Sequence, residues 1–205
     1  MIQFLEKINF LLGLELFAAV LGVLSVWYAK KNKILVYPTG IISTLIYIWI
    51  LFKSHLLGDL VINAYFFSMS IYGWFFWSRK DNGNFQNKIS RLNLNELILG
   101  LLIFVSGFIM VKFLYNISNW QESFVSSIDT LTTAIFFSAM WFMARRKIEH
   151  WILWIIGDIM SIPLYFYKGL YFTSIQYLIF TFIAILGFFT WLKELNKKKL
   201  TVKEL

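Results

Sequence analysis

No cysteine occurs among the 205 residues, so disulfides and thiolate metal sites are excluded. Histidine is almost as scarce: His55 and His150 fall at ends of apolar runs on opposite sides and cannot form a metal pair. Only two prolines interrupt long runs of Leu, Ile and Phe, which leaves little room for loops. Charge is thin as well. Charged residues make up 15% of the chain and apolar residues 59%, against roughly 25% and 45–50% in soluble domains. A soluble globule this small has no interior for that much apolar surface. Disorder, a disulfide scaffold and an ordinary cytosolic enzyme do not fit. No G-x-x-x-x-G-K-[ST] or H-E-x-x-H motif occurs, so neither an enzyme nor a cofactor or metal site is expected. Without an ATP site the chain is no primary pump on its own.

What is there instead is 22 Phe, 10 Tyr and 9 Trp and a mean hydropathy of +0.68. These point to an all-α integral membrane protein. Seven windows reach the roughly 20 apolar residues a spanning helix needs: 11–29, 34–52, 58–78, 95–115, 123–143, 149–167 and 170–192. The first reads as a retained span, because Glu6 and Lys7 precede it and Lys30-Lys31 follows as a stop. The net charge is +8. Its bases sit in short clusters between apolar runs, which fits loops on an anionic membrane surface and not a nucleic-acid partner. Lys30, Lys31, Lys33, Arg79, Lys80, Lys88, Arg91, Arg145, Arg146, Lys147, Lys193, Lys197, Lys198, Lys199 and Lys203 fall on one side; only Lys7, Lys53, Lys112 and Lys168 fall on the other. Positive charge stays cytoplasmic, so the amino terminus is expected outside and the carboxyl terminus inside.

A shift of 114 residues brings landmarks into coincidence without a gap. Trp27 falls on Trp141, Lys33-Ile34 on Lys147-Ile148, Leu56 on Leu170, Gly73 on Gly187, Phe75 on Phe189 and Trp77 on Trp191. Three spans end on the side opposite their start, so a direct repeat needs one further span to restore its orientation. The expected organisation is a first three-helix repeat (1–78), a cytoplasmic connector and linking helix (79–122), and a second repeat with a basic tail (123–205). Such parallel repeats place a transported substrate near mid-membrane between the halves. A membrane anchor or non-transporting receptor subunit is the competing reading.

An ionisable side chain inside a span costs roughly 2.5–3.5 kcal/mol on insertion scales, so each needs a reason. Asp158 lies nine residues past Glu149, or about 13.5 Å at 1.5 Å per residue, close to the midplane. Trp151, Trp154, Asp158, Ser161 and Tyr165 share one helical face. A carboxylate beside indoles and a phenol suits a flat organic cation, through counter-charge and cation–π contact. Matching stripes are Asp59, Asn63, Phe66, Ser70 and Trp74 in the third span, Asp129, Thr132, Thr133 and Phe136 in the fifth, and Thr173, Gln176, Tyr177 and Phe180 in the seventh. From these, Asn63, Phe66, Thr133, Gln176 and Tyr177 join the candidate substrate-binding set, with interhelical bonding as the alternative role for the amides. Hydration or N-capping would account for Asp59 and Asp129. Glu15 is placed at the outer edge, and Ala18, Ala19 and Gly22 beside it read as close helix packing. Pro163, in the same span as Asp158, is a candidate kink.

The stretch from Glu149 to Asp158, with Trp151 and Trp154 in a W-x-x-W-x-x-x-N/D pattern, resembles the signature of the Pnu family of bacterial B-vitamin transporters. Ser161 to Leu170, Tyr72-Gly73-Trp74 and Asp129 to Thr133 are also similar to that family, and the resemblance runs over essentially the whole chain. It implies a 3+1+3 arrangement like that of the SWEET sugar carriers, a homotrimer in the bacterial cytoplasmic membrane, and facilitated diffusion of a vitamin trapped by cytoplasmic phosphorylation. Nicotinamide riboside is the expected substrate. Thiamine is the alternative, because Asp158 stands where nicotinamide riboside carriers of the family are expected to hold Asn, and Asn63 where Gln is expected. Both vitamins have a cationic aromatic ring, whereas riboflavin, carried by other relatives, is neutral.

Overall fold

The computed structural model describes residues 2–53, 57–81, 84, 85, 87–117, 124–167, 169 and 171–203. His55, Leu56, Lys168 and Leu170 lie outside these, as does the side chain of Asp59. Apart from one short hairpin the ordered elements are helices: α1 (Ile2–Lys30), α2 (Val36–Lys53), α3 (Leu57–Ser78), α4 (Leu94–Ile117), α5 (Phe124–Ala144), α6 (His150–Tyr167) and α7 (Tyr171–Lys203). Each expected span is a helix with bounds within a few residues, though α1 starts earlier and α7 runs on through the basic tail. Length and composition qualify α1, α3, α4, α5 and α7 as able to cross a membrane. Apolar helix in α2 is shorter, at Val36–Ile50, and α6 carries His150, Asp158 and Ser161 among its 18 residues. Helix α6 continues through Pro163 to Tyr167.

Packing runs α1–α2–α3 and α5–α6–α7, and the two series close on each other through α1 against α7 and α3 against α5. Helix α4 packs on α5. The seams are made by small residues that let backbones approach. The Ser43 hydroxyl donates to the Ala18 carbonyl at 2.8 Å, tying α2 to α1 beside Gly22 as the Ala18–Gly22 pattern foresaw, and Glu15 is exposed. On the far side of the molecule, the Ser138 hydroxyl of α5 donates to the Gly100 carbonyl of α4 at 2.8 Å.

The turns after α1 and α5 have the same construction. Asn32 and Arg146, 114 residues apart, are the two described non-glycine residues with positive φ, at 51° and 57°. At each, the next amide reaches back five residues (Lys33 N to Tyr28 O, Lys147 N to Phe142 O), and the residue itself bonds three back (Asn32 N to Ala29 O, Arg146 N to Met143 O). This is the left-handed helix C-cap, which satisfies carbonyls that the last turn leaves free. Asn tolerates that conformation, whereas Arg pays a steric cost of about 1–2 kcal/mol. Arg146 is held there by its side chain: the guanidinium lies 4.2 Å over the Trp77 ring and donates to the Asn87 carbonyl. Burial lowers its pKa from the usual value, opposed by Tyr37 and Glu194. The Asn32 amide meanwhile donates to Glu194 at 3.0 Å.

The 79–94 connector, expected only as a polar loop, contains a hairpin of β1 (Lys80–Asp81) and β2 (Asn84–Phe85). It is fastened to the α5–α6 turn. Ser90 N donates to Arg146 O at 3.1 Å and Ile148 N to Ser90 O at 3.0 Å. Asn93 and Glu96 form a reciprocal capping box at the start of α4, and the Glu96 carboxylate also pairs with Lys147 at 2.8 Å and Arg145 at 3.6 Å. The apolar core gathers at this same end, around Tyr37, Trp77, Ile148, Trp151 and Trp191, each at most 1% exposed.

Candidate substrate-binding site

Two aromatic pairs form the floor of the site. Tyr37 meets Trp77 edge-on, with centroids 5.1 Å apart and planes at 89°. Trp151 meets Trp191 at 5.8 Å and 90°. Each inner ring lies against a glycine: a Cβ on Gly73 would stand 2.4 Å from the Tyr37 ring, and one on Gly187 2.6 Å from Trp151. The outer rings tie the helix series together, since Trp77 Nε1 donates to Ala144 O at 3.1 Å and Trp191 Nε1 to Ala29 O at 3.0 Å. The Tyr37 hydroxyl and Trp151 Nε1 are buried without a hydrogen-bond partner among the described residues.

A cavity of about 210 Å³ stands against this floor, lined by six helices. Helices α1 and α2 contribute small residues, among them Gly22, Ser25, Gly40 and Thr44. Phe66 and Ser70 come from α3, Phe136 and Met140 from α5, Trp151, Trp154 and Asp158 from α6, and Tyr177 and Phe180 from α7. Rings cluster on one side. Phe136 stacks on Trp154 at 5.1 Å and lies parallel to Tyr177 at 6.0 Å, with Phe66 tilted against Trp154 at 6.3 Å. Gly157 makes room for this stack, because a Cβ there would come within 2.3 Å of Phe136.

Asp158 is 2% exposed and lines the cavity. Among the described residues nothing hydrogen-bonds or ion-pairs with it, and no Lys, Arg or His lines the cavity. An isolated buried carboxylate costs several kcal/mol in its charged form, so Asp158 needs either a proton or a positively charged partner there. The aromatic faces of Trp154 and Phe136 lie in the same cavity lining.

Of the ten residues proposed from sequence, the cavity brings together Trp151, Trp154, Asp158, Phe66 and Tyr177. Ser161, Tyr165, Asn63, Gln176 and Thr133 are not among its lining. Ser161 is buried with its hydroxyl unpartnered, Tyr165 stacks on Tyr177 at 5.1 Å, and Thr133 is buried within α5. Trp74, on the same sequence stripe as Phe66, is exposed. Asp129 lies within α5 and accepts a hydrogen bond from the Tyr115 hydroxyl, joining α5 to α4. The residues not selected from sequence include Tyr37, Gly40 and Thr44. Each stands 114 positions before a selected one (Trp151, Trp154 and Asp158), which is the signal that would have found them.

The family model described as nicotinamide mononucleotide transporter matches residues 12–193. This chain belongs to that family. Among its relatives, the nicotinamide riboside transporter PnuC of Escherichia coli (strain K12) is 26% identical, over 90% of this chain and 87% of the relative. The riboflavin/roseoflavin transporter RibM of Streptomyces davaonensis is 23% identical, over 84% and 81%. A crystal structure of the vitamin B3 transporter PnuC shares the fold, with a TM-score of 0.68 and 23% identity over 90% of this chain and 82% of that one. Family membership and the apolar helices make the protein a multi-pass membrane protein of a transporter family.

Proposed function

We propose that the protein carries nicotinamide riboside across the bacterial cytoplasmic membrane by facilitated diffusion. The observation that carries this reading is the unpaired Asp158 carboxylate beside the Trp154–Phe136 stack in a cavity between the helices. A pyridinium ring satisfies both, with its charge on the carboxylate and its face on the indole. The absence of any cationic side chain from the cavity lining favours the nucleoside over its phosphorylated form, since a phosphate there would face Asp158 with no counter-charge. The same electrostatics disfavours neutral riboflavin, the substrate named for RibM. Thiamine shares the cationic ring and is the competing substrate.

The architecture that goes with this reading is two parallel three-helix repeats joined by α4. Its support is the pairwise match of turns, aromatic pairs and helix contacts at the 114-residue offset. The one-sided distribution of basic residues supports an amino terminus outside and a carboxyl terminus inside, and the homotrimer implied by the family resemblance is expected as a native mass of three chains. Proteoliposomes containing only this protein should equilibrate labelled nicotinamide riboside in both directions, with unlabelled riboside competing better than thiamine. Accumulation above the external concentration, driven by a proton or sodium gradient, would overturn facilitated diffusion. Stronger competition by thiamine would move the substrate, and absence of any flux would return the protein to a receptor or anchor role. A cysteine introduced at Asn84, the sole cysteine in the chain, should resist an impermeant reagent applied to intact cells; labelling would reverse the topology.

A further inference from the structure

We propose that Ser25, Gly40 and Ser70 form a second subsite in the cavity, one that takes the hydroxylated sugar of the substrate while the cationic ring lies on Trp154 and Phe136. The proposal rests on the transport reading above and extends it from the ring to the sugar.

Ser70 is the first observation. It is 4% exposed and lines the cavity. Ser68, Ser78, Thr181 and Thr190 donate to the carbonyl four residues back, of Ala64, Trp74, Tyr177 and Leu186, all at 2.7–2.8 Å. Ser70 makes no such bond, nor any other among the described residues. Its hydroxyl is therefore a spare donor and acceptor that faces the cavity.

The second observation is where that hydroxyl points. A Cβ on Gly40 would stand 3.7 Å from Ser70 Oγ and 3.0 Å from Ser25 Oγ. The two hydroxyls thus converge over the bare Cα of Gly40. Ser25 donates its proton to the Val36 carbonyl at 2.7 Å and keeps lone pairs to accept. Vicinal sugar hydroxyls, each donor and acceptor, fit this pair; a charged or purely apolar group does not.

The third is the contrast with the facing half. At the 114-residue offset Gly40 corresponds to Trp154, Gly22 to Phe136 and Ser70 to Ala184. At these three pairs a ring or methyl in the second half faces a bare or hydroxylic position in the first, whereas Tyr37 and Phe66 bring rings from the first half at other levels. That contrast leaves the bare backbone of Gly22 and Gly40 on α1 and α2 facing a substituent on a ring stacked at Trp154.

The test is a binding titration of the purified protein in detergent with two ligands that share the cationic ring: nicotinamide riboside, and 1-methylnicotinamide, which has no sugar. Ser70→Ala removes one oxygen and leaves the helix intact. It should weaken the riboside about tenfold and change 1-methylnicotinamide by less than about twofold. Gly40→Ala, which puts a methyl between the hydroxyls, should give the same pattern with a larger loss. Asp158→Asn should weaken both ligands. Equal losses for the two ligands in Ser70→Ala, or none for the riboside, would overturn the sugar subsite while leaving the ring site standing. Failure of the unmodified protein to bind either ligand would overturn the transport reading and this subsite together.

Discussion

Helices α1 and α5 occupy the same place in their respective three-helix series, and their surroundings are opposite. On α1, Leu16, Phe17, Val20 and Leu24 are 67%, 54%, 50% and 38% exposed. On α5, 114 residues later, Thr130, Ala134 and Ser138 stand opposite Leu16, Val20 and Leu24 and are 4%, 0% and 4% exposed. The difference is α4, which covers this face of α5 and has no counterpart over α1. Where a helix covers the face, residues are small and hydroxylic, and Gly100 and Gly107 of α4 give the rings of Phe142 and Phe137 room to lie against its backbone. Where no helix covers it, they are large and apolar. In a bilayer the most apolar face of a helix is not the buried one, because lipid accepts it as readily as protein does.

The largest expected effect is at the α4–α5 seam. A Cβ on Gly100 would stand 2.2 Å from the Phe142 ring, so Gly100→Val should destabilise the protein by about 3 kcal/mol through overpacking. Leu16→Val, on the exposed face of α1, should leave thermal unfolding in detergent unchanged. Equal losses would mean that α1 is as tightly covered as α5. Next come the two floor glycines. Gly73→Ala and Gly187→Ala should each cost about 1–3 kcal/mol, and by similar amounts. A loss confined to one would break the correspondence between the halves. Smallest is the hydroxyl: Ser138→Ala should cost about 0.6 kcal/mol, the usual size of an interhelical hydrogen bond in a membrane protein, with Leu24→Ala near zero. A larger loss from Leu24→Ala would place a partner on that face of α1.

Helix positions were legible in the sequence because a spanning helix needs an apolar length that little else supplies. The matched turns and aromatic floor were partly legible too, since Gly73, Trp77, Gly187 and Trp191 already align at the 114-residue offset. The site was half legible. Trp154, Asp158, Phe66 and Tyr177 stood out because polar or aromatic groups recur at helical spacing. That spacing carries no depth information, so Ser161 and Tyr165 share the face of Asp158 but extend past the cavity along α6. Asn63, Gln176 and Thr133 likewise share faces with lining residues without lining the cavity. Gly40 and Thr44 were reachable only through the 114-residue offset from Trp154 and Asp158, and Ser25 not at all, because a small residue announces no chemistry until the bulky residue facing it is known. The link between Asp129 and Tyr115 depends on how α4 meets α5, which no periodicity within either helix reveals.

The central claim is that Asp158 supplies counter-charge to a cationic ring stacked at Trp154. Its most direct test is a titration of the unmodified protein and of Asp158→Asn with nicotinamide riboside and with its reduced, uncharged analogue. Asn keeps the shape and hydrogen bonding of Asp but not the charge. The expected result is that the cation loses about ten- to a hundredfold in affinity, while the neutral analogue, weak on the unmodified protein, changes little. Equal losses for the two ligands would contradict the claim and make Asp158 a structural residue.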